Sequence, residues 1–121
     1  MDKAEKVERI KLHREFWEVI KQNKNEFFLR GYELKVIKVA LFDKFYNNNK
    51  CKFDVINFCF VCARCENCLV TFNDYCDRPG SYYKLWVQSI REKNSEDFDK
   101  YCDLIKNAPE AMNITINVHI C

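Results

Sequence analysis

Glycine is almost missing from this chain: Gly31 and Gly80 are the only two among 121 residues. A Walker loop and a Rossmann fingerprint each need several glycines so that the backbone can approach phosphate closely, and both are thereby excluded. Serine is nearly as scarce. Ser81, Ser89 and Ser95 are the whole set, none in a GxSxG setting, and His13 and His119 stand near opposite ends, so no nucleophilic triad announces itself. Nowhere do about 18 uncharged apolar residues follow one another, and the opening MDKAEKVERIKLHREF has no apolar stretch behind its charges. The expectation is a cytoplasmic chain with neither signal peptide nor membrane span. A strong excess of one charge is also lacking. Residues 1–50 carry 12 Lys/Arg against 8 Asp/Glu, a net of +4, and residues 51–121 carry 8 against 10, a net of −2. That is too weak for a dedicated phosphate-binding surface.

What the chain does have is apolar bulk and sulfur. Apolar residues make up 48% and aromatics 15%, enough for one folded domain spanning residues 1–121. Five of eight cysteines fall in the stretch CFVCARCENCLVTFNDYC from Cys59 to Cys76. In a cytosolic chain thiols stay reduced, which points to metal or plain burial rather than to disulfides. The pairs Cys59/Cys62 and Cys65/Cys68 are CxxC units, whose two-residue spacer lets the chain turn back and aim both sulfurs at one ion. Cys76 can close the tetrahedron. The candidate metal ligands are therefore Cys59, Cys62, Cys65, Cys68 and Cys76, with zinc ahead of an iron–sulfur cluster. One tetrahedral ion takes four of the five, and we assign Cys65 as the spare. The competing reading is that these cysteines are small buried hydrophobes. Only Ala63 and Arg64 separate the two units, a shorter spacer than paired knuckles usually have.

Periodicity predicts about four helices. Val7, Ile10, Phe16, Trp17 and Ile20 recur at threes and fours from about Asp2 to Lys24, with Glu5/Arg9, Lys11/Glu15 and Arg14/Glu18 as opposite-charge pairs on the outer surface. Leu34, Ile37, Leu41 and Phe45 form one stripe over Glu33–Tyr46, although the β-branched KVIKVALF also suits a strand. Lys52–Phe58 permits a short strand. After the Pro79-Gly80 turn, Ser81 caps a helix over Tyr82–Glu92, and Ser95 caps another over Glu96–Asn107. His13 is read as a core histidine in preference to a ligand, and Cys102 as core. The tail Asn113–Ile120 alternates Ile114, Ile116, Val118 and Ile120 with polar residues, which reads as a strand. It would pair with Lys52–Phe58, with Lys35–Leu41, or with a second molecule in a homodimer. The expected fold is α+β, mostly helical, with about four helices around a cysteine-rich metal-binding knuckle and a C-terminal β-strand.

HREFW at His13–Trp17, CFVC at Cys59–Cys62, CENC at Cys65–Cys68, Cys76 and YYKLW at Tyr82–Trp86 stand ahead of a last amphipathic helix ending in Ala-Pro. In that order they resemble a family of small uncharacterised cysteine-rich proteins of phages and prophages of low-GC Gram-positive bacteria. The resemblance covers about Lys11–Pro109. The chain lacks that family's longer spacer between the CxxC units and carries Leu69 where the family has proline. A metal-held small fold on a mobile element is what the resemblance implies; it implies no enzymatic activity.

Two functions are then expected in turn. The first is a non-enzymatic, zinc-binding interaction module directed at a host protein, for example as an inhibitor of a bacterial defence system such as a CRISPR effector. The alternative is a zinc knuckle that binds nucleic acid, presenting Arg64, Arg78 and Lys84 with Tyr75, Tyr82 and Tyr83 for base stacking.

Overall fold

The structure is a computed structural model that describes residues 2–55, 58–61, 68–71 and 78–111. Helix α1, Lys3–Gln22, begins where Asp2 accepts the Glu5 amide at 2.8 Å, satisfying one of the orphan N–H groups of its first turn. It stops at Asn23, whose side-chain amide donates to the Val19 carbonyl at 2.8 Å and competes with continuation of the helix. The chain restarts at once as α2, Lys24–Leu29, passes through a 3-10 turn at Gly31–Glu33, and enters α3, Leu34–Asn48. Helix α4, Tyr82–Arg91, opens with Ser81 accepting the Lys84 amide, as expected. Helix α5, Ser95–Lys106, is capped by Asn94 and not by Ser95, the Asn94 side chain accepting the Asp97 amide at 3.0 Å.

These helices bury an aromatic centre. Trp86 is fully enclosed, with Trp17 edge-on to it at 5.0 Å and Phe27 at 5.4 Å. Phe16, Phe42 and Phe60 continue the packing, Phe42 and Phe60 lying 4.8 Å apart. The Trp86 indole N–H meets no nitrogen or oxygen acceptor among the described residues; the polar group beside it is the Cys102 thiol. Helix α5 packs chiefly on α1 and α4. Lys106–Glu18 and Lys21–Asp103 pair at 2.9 and 3.0 Å across the antiparallel α1 and α5, and Lys24 at the start of α2 pairs with Asp99 at 3.0 Å. A second, smaller cluster of Ile10, Val61, Leu69, Val70 and Ala108 lies at the other end of α1.

The architecture corrects the expected α+β class. Among the described residues there are five α-helices and no strand; Val70 and Glu110 form an isolated antiparallel bridge, and Cys59 and Cys68 are bridge residues as well. The first helix ends near its expected limit, but the short helix that restarts directly after Asn23, Lys24–Leu29, was not expected. KVIKVALF is helical despite its β-branched residues, because the stripe Leu34, Ile37, Leu41 and Phe45 faces the aromatic core and packing overrides local preference. The helices therefore pack about aromatic rings and not about a cysteine knuckle. The described part of the expected strand near Lys52–Phe58 is not a strand, and the tail Asn113–Ile120 lies outside the described residues. Val7, expected on the buried face, is 54% exposed, while Arg9, expected outside, is buried. No described helix is long and apolar enough to cross a membrane.

Candidate functional site

The smaller cluster forms a shelf for the cysteine stretch. The Leu69 amide donates to the Val61 carbonyl at 3.0 Å, so the chain on the two sides of residues 62–67 is drawn together. Cys59 and Cys68, one from each side, are half-buried and both pack against this shelf. A third segment locks it: Thr71 donates to the Pro109 carbonyl at 2.7 Å and Ala111 to the Leu69 carbonyl at 3.0 Å. Two of the five expected metal ligands are thus brought to one small surface. Cys62, Cys65 and Cys76 lie outside the described residues. No group of three or more metal-donor side chains converges among the described residues.

Arg9 holds the approach to this shelf. Its guanidinium donates to the carbonyls of Asp54 at 2.5 Å and Phe60 at 3.4 Å, reaches Glu5 at 3.4 Å, and lies 4.4 Å from the Phe53 ring centroid. The described residues 53–55 and 58–60 form no strand, so carbonyls there need a donor from elsewhere, and a planar five-donor cation suits two at once. That need is why an arginine occupies an inward position of α1. Phe58, just before Cys59, adopts a positive φ of 52° and packs its ring 5.7 Å from Phe42.

The remaining candidates take structural roles. His13 is buried in the α1–α5 seam, its Nε2 donating to the Ile105 carbonyl at 2.9 Å, which fixes the tautomer with a proton on Nε2. Burial lowers its pKa to about 4, the Ile105 bond opposing and nearby Arg14 and Lys38 adding to the shift. Cys102 is buried as expected, and that burial pushes its thiol pKa up. Cys51 is half-buried against the aromatic core, and its thiol is raised by burial and by Glu8. Of the residues expected to stack on bases, Tyr83 packs on Trp86 at 5.7 Å with Lys38 4.6 Å above its ring, and Tyr82 lies 6.5 Å from Tyr101. Arg64 and Tyr75 lie outside the described residues.

A surface that periodicity did not single out lies at the α2–α3 turn. Leu29 at the end of α2, Tyr32 in the 3-10 turn and Val36 in the first turn of α3 are 76%, 86% and 63% exposed, so three large side chains within eight residues are left mostly in water. The turn beneath them is braced. Arg30 bonds Glu26 and Glu33, each at 2.7 Å, and Gly31 sits so close to α4 that a Cβ there would lie 2.9 Å from Cγ2 of Ile90. One guanidinium against two carboxylates leaves this trio a formal net charge of −1. The spacing of Leu29, Tyr32 and Val36 was a readable signal; it was hidden because Leu34 and Ile37 of the core stripe interleave with it. No protein family, curated protein or solved structure matches this chain.

Proposed function

We propose that this chain is a non-enzymatic interaction module, held at one end by a zinc-bound cysteine knuckle, which docks on a host protein through the Leu29–Tyr32–Val36 ridge. The observation that carries the reading is that ridge: three large apolar side chains left mostly in water on a turn braced by an ion trio and a close glycine contact. Solvent-exposed tyrosine flanked by aliphatics on a rigid support is the composition found at the energetic centre of protein interfaces. Cys59 and Cys68 on a common shelf suit two ligands of one ion, and zinc is the metal that four thiolates would favour in cytosol. Two of the three tyrosines a nucleic-acid surface was expected to use are engaged elsewhere, Tyr83 with the core and Tyr82 with Tyr101, which favours the protein-binding reading.

The test is paired affinity capture from a bacterial lysate with the wild-type chain and with Leu29→Ser/Tyr32→Ala/Val36→Ser, after circular dichroism has established that both fold alike. One protein enriched by the wild type and reduced about 30-fold or more with the variant is expected, since a central aromatic contributes about 2 kcal/mol or more. No enriched protein, or the same protein captured equally by both, refutes the docking surface.

A further inference from the structure

Helix α3 carries two apolar stripes, and the core covers one of them. Leu34, Ile37, Leu41 and Phe45 pack against the aromatic centre. Val36, Val39 and Ala40 follow at helical spacing on the opposite side, Val36 and Ala40 exposed and Val39 half-buried. A helix that is apolar on two sides leaves one of them in water unless something else covers it.

The charges at the edges of this outer stripe have a definite order. On one flank Lys35 stands at the N-terminal end and Asp43 at the C-terminal end; both are exposed, and neither has an ion-pair partner among the described residues. On the other flank the signs are reversed. Glu33, part of the trio with net charge −1, comes first, and the exposed Lys44 comes last. Lys38, on the core side, lies over the Tyr83 ring at 4.6 Å and takes no part. Lys35 and Asp43 are about 12 Å apart along the helix at 1.5 Å per residue, and both pairs have their midpoint beside Val39. A two-fold axis that crosses the stripe at right angles to the helix exchanges its ends and brings each flank against the same flank of the other copy. Every charge on the rim then meets its opposite, as an isologous interface requires.

We propose that the chain pairs with a second copy of itself through the outer stripe of α3. The two α3 helices lie antiparallel with Val39 at the two-fold axis, each Lys35 opposite the partner's Asp43 and each Lys44 opposite the partner's Glu33. Val39 and Ala40 are small enough for the helix axes to approach towards the lower end of the usual range of about 8–10 Å. About three turns of a single helix cover less than the roughly 800 Å² per partner of a stable interface, so the dimer is transient, with a dissociation constant in the micromolar range. Val36 belongs both to this stripe and to the host-docking surface, so a second copy and a host protein compete for it, and neither interaction requires the other.

Sedimentation equilibrium of the full chain between about 1 and 500 μM should show the average mass rising from one chain to two. Lys35→Glu and Asp43→Lys, both at exposed positions, should each raise the dissociation constant about tenfold or more, because each sets like charges opposite one another twice. An equimolar mixture of the two singly reversed chains should associate as the wild type does, since every reversed side chain then faces one of opposite sign. The double variant Lys35→Glu/Asp43→Lys should do the same on its own, and circular dichroism establishes that all of these chains fold alike. Should a reversal at position 35 or 43 not fold, Val36→Ser, which should also weaken the dimer, takes its place. A monomer over the whole range, assemblies larger than two, a dimer indifferent to the substitutions, or a mixture that fails to restore association overturns the pairing. A monomeric chain leaves the docking of a host protein untouched, so the two readings fail separately.

Discussion

Replacing Arg9 by alanine should destabilise the fold out of proportion to its place in the first half of a surface helix. The side chain is buried and satisfies the carbonyls of Asp54 and Phe60, distant in the sequence. The Asp54 bond, short and charge-assisted, contributes about 1.5–3 kcal/mol. The contacts to Phe60 and Glu5, both at 3.4 Å, are near the limit of hydrogen-bond distance and add less. Stacking over Phe53 at 4.4 Å adds about 1 kcal/mol. Against these stands the desolvation of a cation, which alanine abolishes. A net cost of about 2–4 kcal/mol results, or a melting point lower by about 10 °C for a domain of this size. Arg9→Lys should recover less than half of it, because an ammonium cannot reach two carbonyls and stack at once. Thermal unfolding by circular dichroism gives the magnitude, and exchange at the amides of 53–55 and 58–61 gives the location. A melting point of Arg9→Ala within about 2 °C of wild type would refute the clamp.

Protein purified without added metal should contain about one zinc per chain and be colourless, with Cys59→Ser and Cys68→Ser each lowering the metal content and the stability, since binding and folding share one free energy. Cys102→Ser should leave the metal in place and cost about 1–2 kcal/mol of core packing, whereas a brown protein would indicate iron–sulfur and a well-folded metal-free one would exclude the staple. Gly31→Ala should cost about 1–2 kcal/mol, because the new methyl meets Ile90 Cγ2 at 2.9 Å, and Ile90→Leu, which lacks that branch, should reduce the penalty in a double-mutant cycle. Denaturant titrations across pH should show global stability constant above pH 6.5 as far as His13 is concerned. It then falls by up to about 3 kcal/mol as pH drops to 4, because the folded value lies below the unfolded one and only the unfolded chain takes up the proton in that window. His13→Gln should flatten that slope.

Much of the helical content was legible. The first and last helices were readable because Ile10, Phe16, Trp17 and Ile20, and later Phe98, Cys102 and Ile105, keep the helical period and are all buried. The Ser81 cap followed a Pro-Gly turn and needed only local chemistry. The break at Asn23 was not legible as a break between two helices, since asparagine ends a helix but does not say whether the chain restarts. Arg9 escaped notice because its role depends on carbonyls 45 and 51 residues away, and a four-residue pairing with Glu5 gave it a satisfactory surface explanation. Of the cysteine stretch, spacing identified a cluster, and the backbone bond from Leu69 to Val61 accounts for how Cys59 and Cys68 reach one shelf. The ridge was concealed by a different effect: Val36 lies between Leu34 and Ile37 of the buried stripe, and only the direction of the partner helices decides which of two adjacent stripes is covered.

The docking reading is tested most directly by placing a photo-crosslinking amino acid at position 32 in place of the exposed Tyr32 and irradiating living bacteria that express the chain. The same probe at position 8, on the exposed face of α1, serves as control. One discrete adduct to a single host protein from position 32, absent from position 8 and lost when Leu29 and Val36 are both changed to serine, is the expected result. No adduct at position 32, or the same adduct from both positions, would contradict it.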